Sequence, residues 1–345
     1  MLLHLIVIVL SALGSMVVSL FVNYRLSHSD SQLSSLDHPN HRSLHDTPTP
    51  RSGGLAILAG MVPGCLSLTF LLSSPPGLGW LLLGFLIVSG LSFLDDHRDL
   101  SPLVRLLVQF LAASMIVVGG FELTIVSVGS LSFRLPETLA ILTTLFSTVW
   151  MLNLYNFMDG MDGFAGGMGM FGFWFLSLFG LFGDNTFYSG VALVIALSNT
   201  GFLALNFPPA KIFMGDVGSV GMGYAAAALT LWGVQDGLFD LWVPLLIFSP
   251  FIVDASYTLG RRLLKREKVW QAHRSHYYQW LVRRGWGHRK TVLAEYLLMG
   301  SCGISALWLH SGSTITILQG LLAWGLFYLA LILWRHQFAS NSEEE

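Results

Sequence analysis

Cysteine is nearly missing from this 345-residue chain: Cys65 and Cys302 are the two it has. Both fall inside long apolar runs, so the sequence offers neither a disulfide framework nor a thiolate metal site. Charge is scarce as well, with Asp, Glu, Lys and Arg making 11% of residues against 53% hydrophobic ones and a mean hydropathy of +0.64. Soluble domains carry about twice that charge, which excludes a soluble globular fold. No internal repeat is visible. The first apolar run lacks a basic start and a small-residue cleavage site, so it reads as a span of the protein and not as a removable signal peptide.

What the chain has instead is apolar length. Runs able to cross a bilayer, about 17 to 25 residues each, lie near 2–22, 54–72, 78–94, 103–119, 139–155, 164–182, 187–205, 217–233, 241–263, 291–309 and 313–334. These eleven spans predict an all-α, polytopic membrane helical bundle, read as one integral membrane domain over 1–345. The segment 121–137 alternates apolar and polar residues around Gly129-Ser130 and predicts a β-hairpin at the outer, periplasmic interface. Lys and Arg in short loops stay on the cytoplasmic side. With the N-terminus outside, the inner loops collect Arg25, Arg42, Arg51, Arg98, Arg105, Lys211, the ten basic residues from Arg261 to Lys290, and Arg335, which is 17 of 18, leaving only Arg134 outside. The net charge of −2 therefore hides a basic inner face suited to anionic substrates and lipid head groups.

Polar residues gather in the inner segments 23–53, 95–102, 153–163, 206–216 and 264–290. In the third of these, Asn153, Asn156 and Asp159 recur every third residue and would share one helical face, while Gly160 and Gly163 allow the helix to end before Asp162. Such a turn offers oxygen ligands for a hard cation and backbone N–H groups for phosphate; a polar loop between spans is the plainer alternative. The first inner loop is rich in proline, which keeps it extended. Asp95 and Asp96 adjoin an apolar run and point about 100° apart on a helix, which predicts different partners for the two. Asp216 sits among small residues at the start of a span, where it could hold a cation or merely cap the helix. Asp254, inside the ninth run, reads as a structural pairing residue. The segment 261–290 interleaves basic and aromatic residues and predicts an amphipathic helix on anionic lipid, and within it His273, Arg274 and His276 form a phosphate-binding candidate. With no cysteine or third histidine close by, that cluster is no zinc site.

Taken in order, DHPNHRSLHDTPTPRSGG at 37–54, FLDD at 93–96, NLYNFMDGMDG at 153–163, FMGDVGS at 213–219 and AHRSH at 272–276 resemble the polyprenyl-phosphate N-acetylhexosamine-1-phosphate transferases, glycosyltransferase family 4. Within that superfamily the chain looks most like the branch that initiates O-antigen and enterobacterial common antigen. His-Arg-Ser-His stands where the peptidoglycan branch, the phospho-MurNAc-pentapeptide transferases, has three histidines. Arg105 stands where relatives commonly carry lysine.

The resemblance implies transfer of an N-acetylhexosamine 1-phosphate, or its 6-deoxy form, from a UDP-sugar to undecaprenyl phosphate. UMP would be released and a lipid-linked glycan begun, on the lipopolysaccharide route if O-antigen is the product. It implies magnesium as cofactor, with manganese able to substitute, and Asn156 and Asp216 as its ligands. Catalytic roles fall to Asp95, Asp96, Asp159 and Asp216, and substrate-binding roles to His45, Arg51, Arg105, Asn153, Asp162, His273, Arg274 and His276. The expected setting is the bacterial inner membrane with the active site on the cytoplasmic face, membrane lipid as surroundings, a homodimer as one assembly, and no nucleic-acid partner. A transporter of nucleotide sugars or lipid-linked sugars is the alternative of another class. It would place its polar groups near the bilayer midplane.

The split of basic residues makes a topological prediction. Cysteines placed at Ser74 and Ser311 should react with an impermeant thiol reagent added outside intact cells, whereas one at Ser275 should stay silent. Outside labelling of Ser275→Cys would reverse the orientation.

Overall fold

The computed structural model describes residues 2–28, 36–37, 48–98, 100–268 and 273–340. Inside a bilayer each unsatisfied backbone N–H or C=O costs several kcal/mol, so apolar runs fold as helices that bond their own backbone. Among the described residues these are α1 (Leu2–Ser27), α2 (Gly53–Leu71), α3 (Leu78–Arg98), α4 (Pro102–Val118), α5 (Glu137–Phe157), α6 (Phe164–Phe182), α7 (Thr186–Asn206), α8 (Gly215–Gln235), α9 (Trp242–Ile247), α10 (Ser249–Leu264), α11 (Tyr277–Leu281), α12 (Gly287–His310) and α13 (Thr314–Ser340). Among the described residues nine helical stretches are long and apolar enough to cross a membrane. The shorter α4 and the pair α9 and α10 complete the eleven spans. The ninth run is not one helix, because Phe248 leaves helical geometry at φ −89°, ψ 6° and Pro250 begins a new helix just beyond it.

Hydrogen bonds and small residues hold the bundle together, since lipid is as apolar as the helices and drives no hydrophobic association. Ser15 and Ser19 of α1 donate to the carbonyls of Val194 and Ser198 of α7 at 3.2 and 2.8 Å, and Asn23 donates to that of Phe202 at 2.8 Å. The three donors are four residues apart, one helical face. The ladder makes α1 a packed member of the bundle. Helix α8 runs buried along almost its whole length, while few residues of α13 are fully buried. Where α2 crosses α8, the backbones touch: a Cβ on Gly54 would lie 2.2 Å from the amide nitrogen of Gly218.

Four short strands accompany the helices among the described residues. Strands β1 (Leu36–Asp37) and β2 (Thr49–Pro50) pair antiparallel at one end. Strands β3 (Ile125–Val128) and β4 (Leu131–Arg134) form the expected hairpin, with Val128 opposite Leu131. It lies at the opposite end of α4 and α5 from Arg105 and Asn156, tied down by Gly129 N–H to Asp240 and Ser130 N–H to Thr314, both at 2.9 Å. The long amphipathic helix expected over 261–290 is not what forms. α10 ends at Leu264, and after His273 the described chain makes only the five-residue α11 and a π-turn at Val282–Trp286 before α12.

The crossing makes a stability prediction. Gly54→Ala should lower the thermal midpoint and the folded yield in detergent, because it overpacks backbone against backbone and costs about 1–3 kcal/mol. Gly14→Ala, with nothing within 4 Å of the new Cβ, should change neither. Equal behaviour of the two variants would refute the close crossing.

Candidate active site

Two chain segments are laced together at one end of the bundle. Phe213 N–H bonds the Pro50 carbonyl at 2.7 Å, Gly53 N–H the Phe213 carbonyl at 2.9 Å and Gly54 N–H the Met214 carbonyl at 2.7 Å. This backbone strip fixes Arg51 beside the first turn of α8. Its Nη2 lies 3.3 Å from Asp96 Oδ1 and 3.8 Å from Asp216 Oδ1, and its Nη1 lies 3.9 Å from Asp37. Burial works against the Arg51 cation, but Asp96, Asp216, Asp37 and Asp159 together hold its pKa above the ordinary value.

Asn156, in the last turn of α5, donates through Nδ2 to Asp216 Oδ1 and to Ser219, both at 2.9 Å. Asp216 lies in the first turn of α8, just inside the N-cap residue Met214, and its own N–H meets Asp96 Oδ1 at 3.5 Å. Asp159 follows where α5 has ended. Burial and the charge of Asp216 push its pKa well above the ordinary carboxyl value.

The remaining expected residues spread around this centre. Asp95 diverges from Asp96, as adjacent helical residues should. It accepts from Leu100 N–H at 2.7 Å and pairs with Arg105 at 3.2 Å. The stripe of Asn153, Asn156 and Asp159 divides its partners, because Asn153 bonds Gln109 of α4 at 2.8 Å while Asn156 bonds Asp216. Gly163, at φ 74°, opens the helix break that the glycines allow. Beyond that break Asp162 accepts from Ala210 N–H at 3.0 Å and meets His288 Nδ1 at 3.1 Å. His45 lies outside the described residues.

The His-Arg-Ser-His segment is built on Asp254, which sequence reading left as a structural pair. Its carboxylate collects the N–H groups of Tyr277 and Tyr278 at 2.8 and 3.2 Å, and His276 Nδ1 at 3.3 Å. Gln279 closes a capping box on His276. His276 is therefore buried, 3% exposed, and stacks near Phe157 and Tyr278. Arg274 is the exposed member of the group. Burial, His276 and Arg262 push the His273 pKa down to about 4, leaving the ring neutral at neutral pH. The Tyr278 hydroxyl reaches the Phe157 carbonyl at 3.3 Å, which joins this segment to the end of α5. Sequence reading missed the part played by His288 and the reach of Asp254 to the next loop. No spacing marks His288, and the intramembrane carboxylate was the only signal for Asp254.

The donor set fits magnesium. That ion takes one or two protein oxygens, keeps several waters and borrows phosphate oxygens, and here Asp216 and Asn156 adjoin at 2.9 Å with Asp159 close by. Among the described residues no three His, Cys, Asp or Glu side chains form a complete cage. Asp96, Asp159 and Asp216 outnumber Arg51, an excess of negative charge that a cation would offset.

Fold and site together define a membrane-embedded helical bundle with an acidic centre and basic loops at one end. The model for glycosyl transferase family 4 matches residues 78–234. Among curated relatives, "Probable undecaprenyl-phosphate N-acetylglucosaminyl 1-phosphate transferase" of Bacillus subtilis is 33% identical over 309 residues, 89% of this chain and 86% of the relative. The decaprenyl-phosphate N-acetylglucosaminephosphotransferase of Mycobacterium leprae is 32% identical, covering 86% of this chain and 82% of its own. A phospho-N-acetylmuramoyl-pentapeptide-transferase of Staphylococcus saprophyticus is 28% identical over 76% of this chain and 85% of its own. The chain belongs to glycosyl transferase family 4, the polyprenyl-phosphate N-acetylhexosamine-1-phosphate transferases.

His273 makes a pH prediction. Its folded pKa is about 4 against an ordinary 6.5, so the unfolded chain binds a proton that the native one does not. Stability present above 6.5 should be lost as pH falls toward about 4. His273→Gln should flatten that part of a thermal midpoint against pH curve. An unchanged slope would mean that the native ring is already charged.

Proposed function

We propose that this transferase moves N-acetylglucosamine 1-phosphate, or a close N-acetylhexosamine variant, from its UDP-sugar to undecaprenyl phosphate on the cytoplasmic face of a bacterial inner membrane, releasing UMP. The observation that carries the reading is Arg51 set against Asp96 and Asp216 beside Asn156, on the same end of the bundle as the loop of Arg274. The reaction must bring a diphosphate and a phosphate together, and a site of oxygen ligands rimmed by basic side chains suits that need. One phosphoanhydride bond forms as another breaks, so the step runs close to balance and later use of the lipid-linked sugar draws it forward.

Asn156 and Asp216 would hold magnesium, with Asp159 beside them. When bound, it supplies charge neutralisation and alignment of phosphate oxygens. Arg51 holds Asp96 and Asp216 in register. Arg105, carried by Asp95, suits the lipid phosphate, while Arg274 suits the diphosphate of the donor. Asp162, braced by His288, suits the uridine. A phosphate monoester has a second pKa near 6, so at neutral pH the acceptor is already a dianion. Asp95 and Asp96 then serve to position, since both already carry cationic partners.

The named substrates of the relatives favour N-acetylglucosamine, and His-Arg-Ser-His points away from a peptidoglycan precursor. The product would begin an envelope glycan, of which O-antigen is one. A transporter fits less well, because these side chains gather at one end of the helices and not at midplane.

The test is UMP release from UDP-N-acetylglucosamine, its galacto epimer and 6-deoxy analogues with undecaprenyl phosphate and magnesium. Asp216→Asn should keep the thermal midpoint and lose about 100-fold in turnover, the scale of one lost electrostatic group at a reacting centre. Purified protein that releases no UMP from any donor would sink the reading.

A further inference from the structure

Where the inner ends of α10 and α13 approach each other, two arginines carry donors that the described structure leaves unused. Arg261 Nε and Arg335 Nη1 are both shielded from solvent and have no hydrogen-bond partner. Arg335 is 6% exposed. Its Nη2 donates to the Ser275 carbonyl at 2.9 Å, and its guanidinium lies 5.9 and 6.0 Å from the rings of Tyr277 and Trp280. Trp334 meets Trp280 edge-on at 5.5 Å. Two nearby carboxylates are committed elsewhere, Glu267 to Arg262 at 2.8 Å and Asp254 to the start of α11, and Glu295 lies with Asp254 and Tyr277 along a neighbouring cavity. The two guanidiniums are close enough to repel each other.

Neighbouring like charges with unmade bonds are strongly unfavourable unless an anion sits between them. Guanidinium matches phosphate oxygens in geometry. The surroundings select the form of phosphate: Trp and Tyr rings of this kind lie at head-group level, and α13 exposes Leu322, Leu326, Leu329 and Leu333 along the length leading to Arg335. We propose that Arg261 and Arg335 bind the phosphate of an anionic membrane phospholipid, and that its presence steadies the His-Arg-Ser-His segment through the bond from Arg335 to Ser275. Basic pockets between helices on the inner side of a membrane bind acidic head groups in this manner.

The test follows the thermal midpoint of the full-length protein in mixed micelles and does not depend on the transferase reading. Phosphatidylglycerol should raise the midpoint saturably, while phosphatidylcholine and inorganic phosphate should not. Arg261→Gln leaves the Arg335 to Ser275 bond in place and should weaken the apparent phosphatidylglycerol affinity roughly fivefold, the effect of one arginine beside an anionic surface. Arg289→Gln, at an exposed arginine, should bind like the parent. Equal losses in the two variants would reveal diffuse surface attraction and overturn the site. Protection by inorganic phosphate would overturn the lipid assignment, and displacement of phosphatidylglycerol by undecaprenyl phosphate would give the socket to the acceptor instead. UMP release from the same samples reports on the transferase separately, since lipid binding without UMP would refute the reaction and leave the site standing.

Discussion

One guanidinium set among carboxylates organises this end of the molecule. Arg51 stands 3.3 Å from Asp96 and 3.8 Å from Asp216, and without its charge those side chains and Asp159 would repel one another at close range. Its place depends on backbone contact. Only because Gly54 of α2 lies against Gly218 of α8 can the strip from Pro50 to Gly54 bond Phe213 and Met214 and aim the arginine inward. Small residues that allow close helix packing in lipid thus decide the spacing of charges within a turn of them.

The opposite wall of the site has a different foundation. Asp254 gathers two amides and a histidine at the start of α11, and this pulls the basic loop back onto the end of α5 instead of leaving it along the membrane surface. The family match ends at residue 234, so this wall is made by residues beyond the matched stretch. It explains why His276 is buried and Arg274 is not: the carboxylate takes the histidine inward and leaves the arginine between it and His273 facing out.

Much of the fold was legible because a bilayer permits few alternatives. Ten of the eleven apolar runs as single helices, the hairpin turn at Gly129-Ser130 and the break at Gly163 all appear where hydropathy and glycine put them. Local pattern failed where tertiary contact decides. The ninth run breaks at Phe248, the basic segment forms no long helix because Asp254 and Gln279 cap a short one, and the Asn153 side chain turns to Gln109, a residue 44 positions away that no periodicity could name. Asp216 was legible as a choice between ligand and cap. In the first turn of α8, just inside Met214, its carboxylate suits the positive helix end and a cation alike.

The charges that result are sorted by depth. Asp95 and Asp96 are nearly shielded, with side chains 7% and 4% exposed, whereas Arg105 is 43% exposed and Arg274 is open. A phosphate arriving from solution therefore meets Arg105 and Arg274 before it meets Asp95 and Asp96. Such an arrangement draws anions in through a field that salt screens over about 10 Å, yet it keeps bare phosphate from settling on the acidic centre. Close approach of two phosphates to that centre then requires positive charge that the described side chains alone do not furnish, because Arg51 is already shared among Asp96, Asp216 and Asp37. The excess of carboxylate over guanidinium is thus the feature on which the proposal of cation-assisted phosphate chemistry rests.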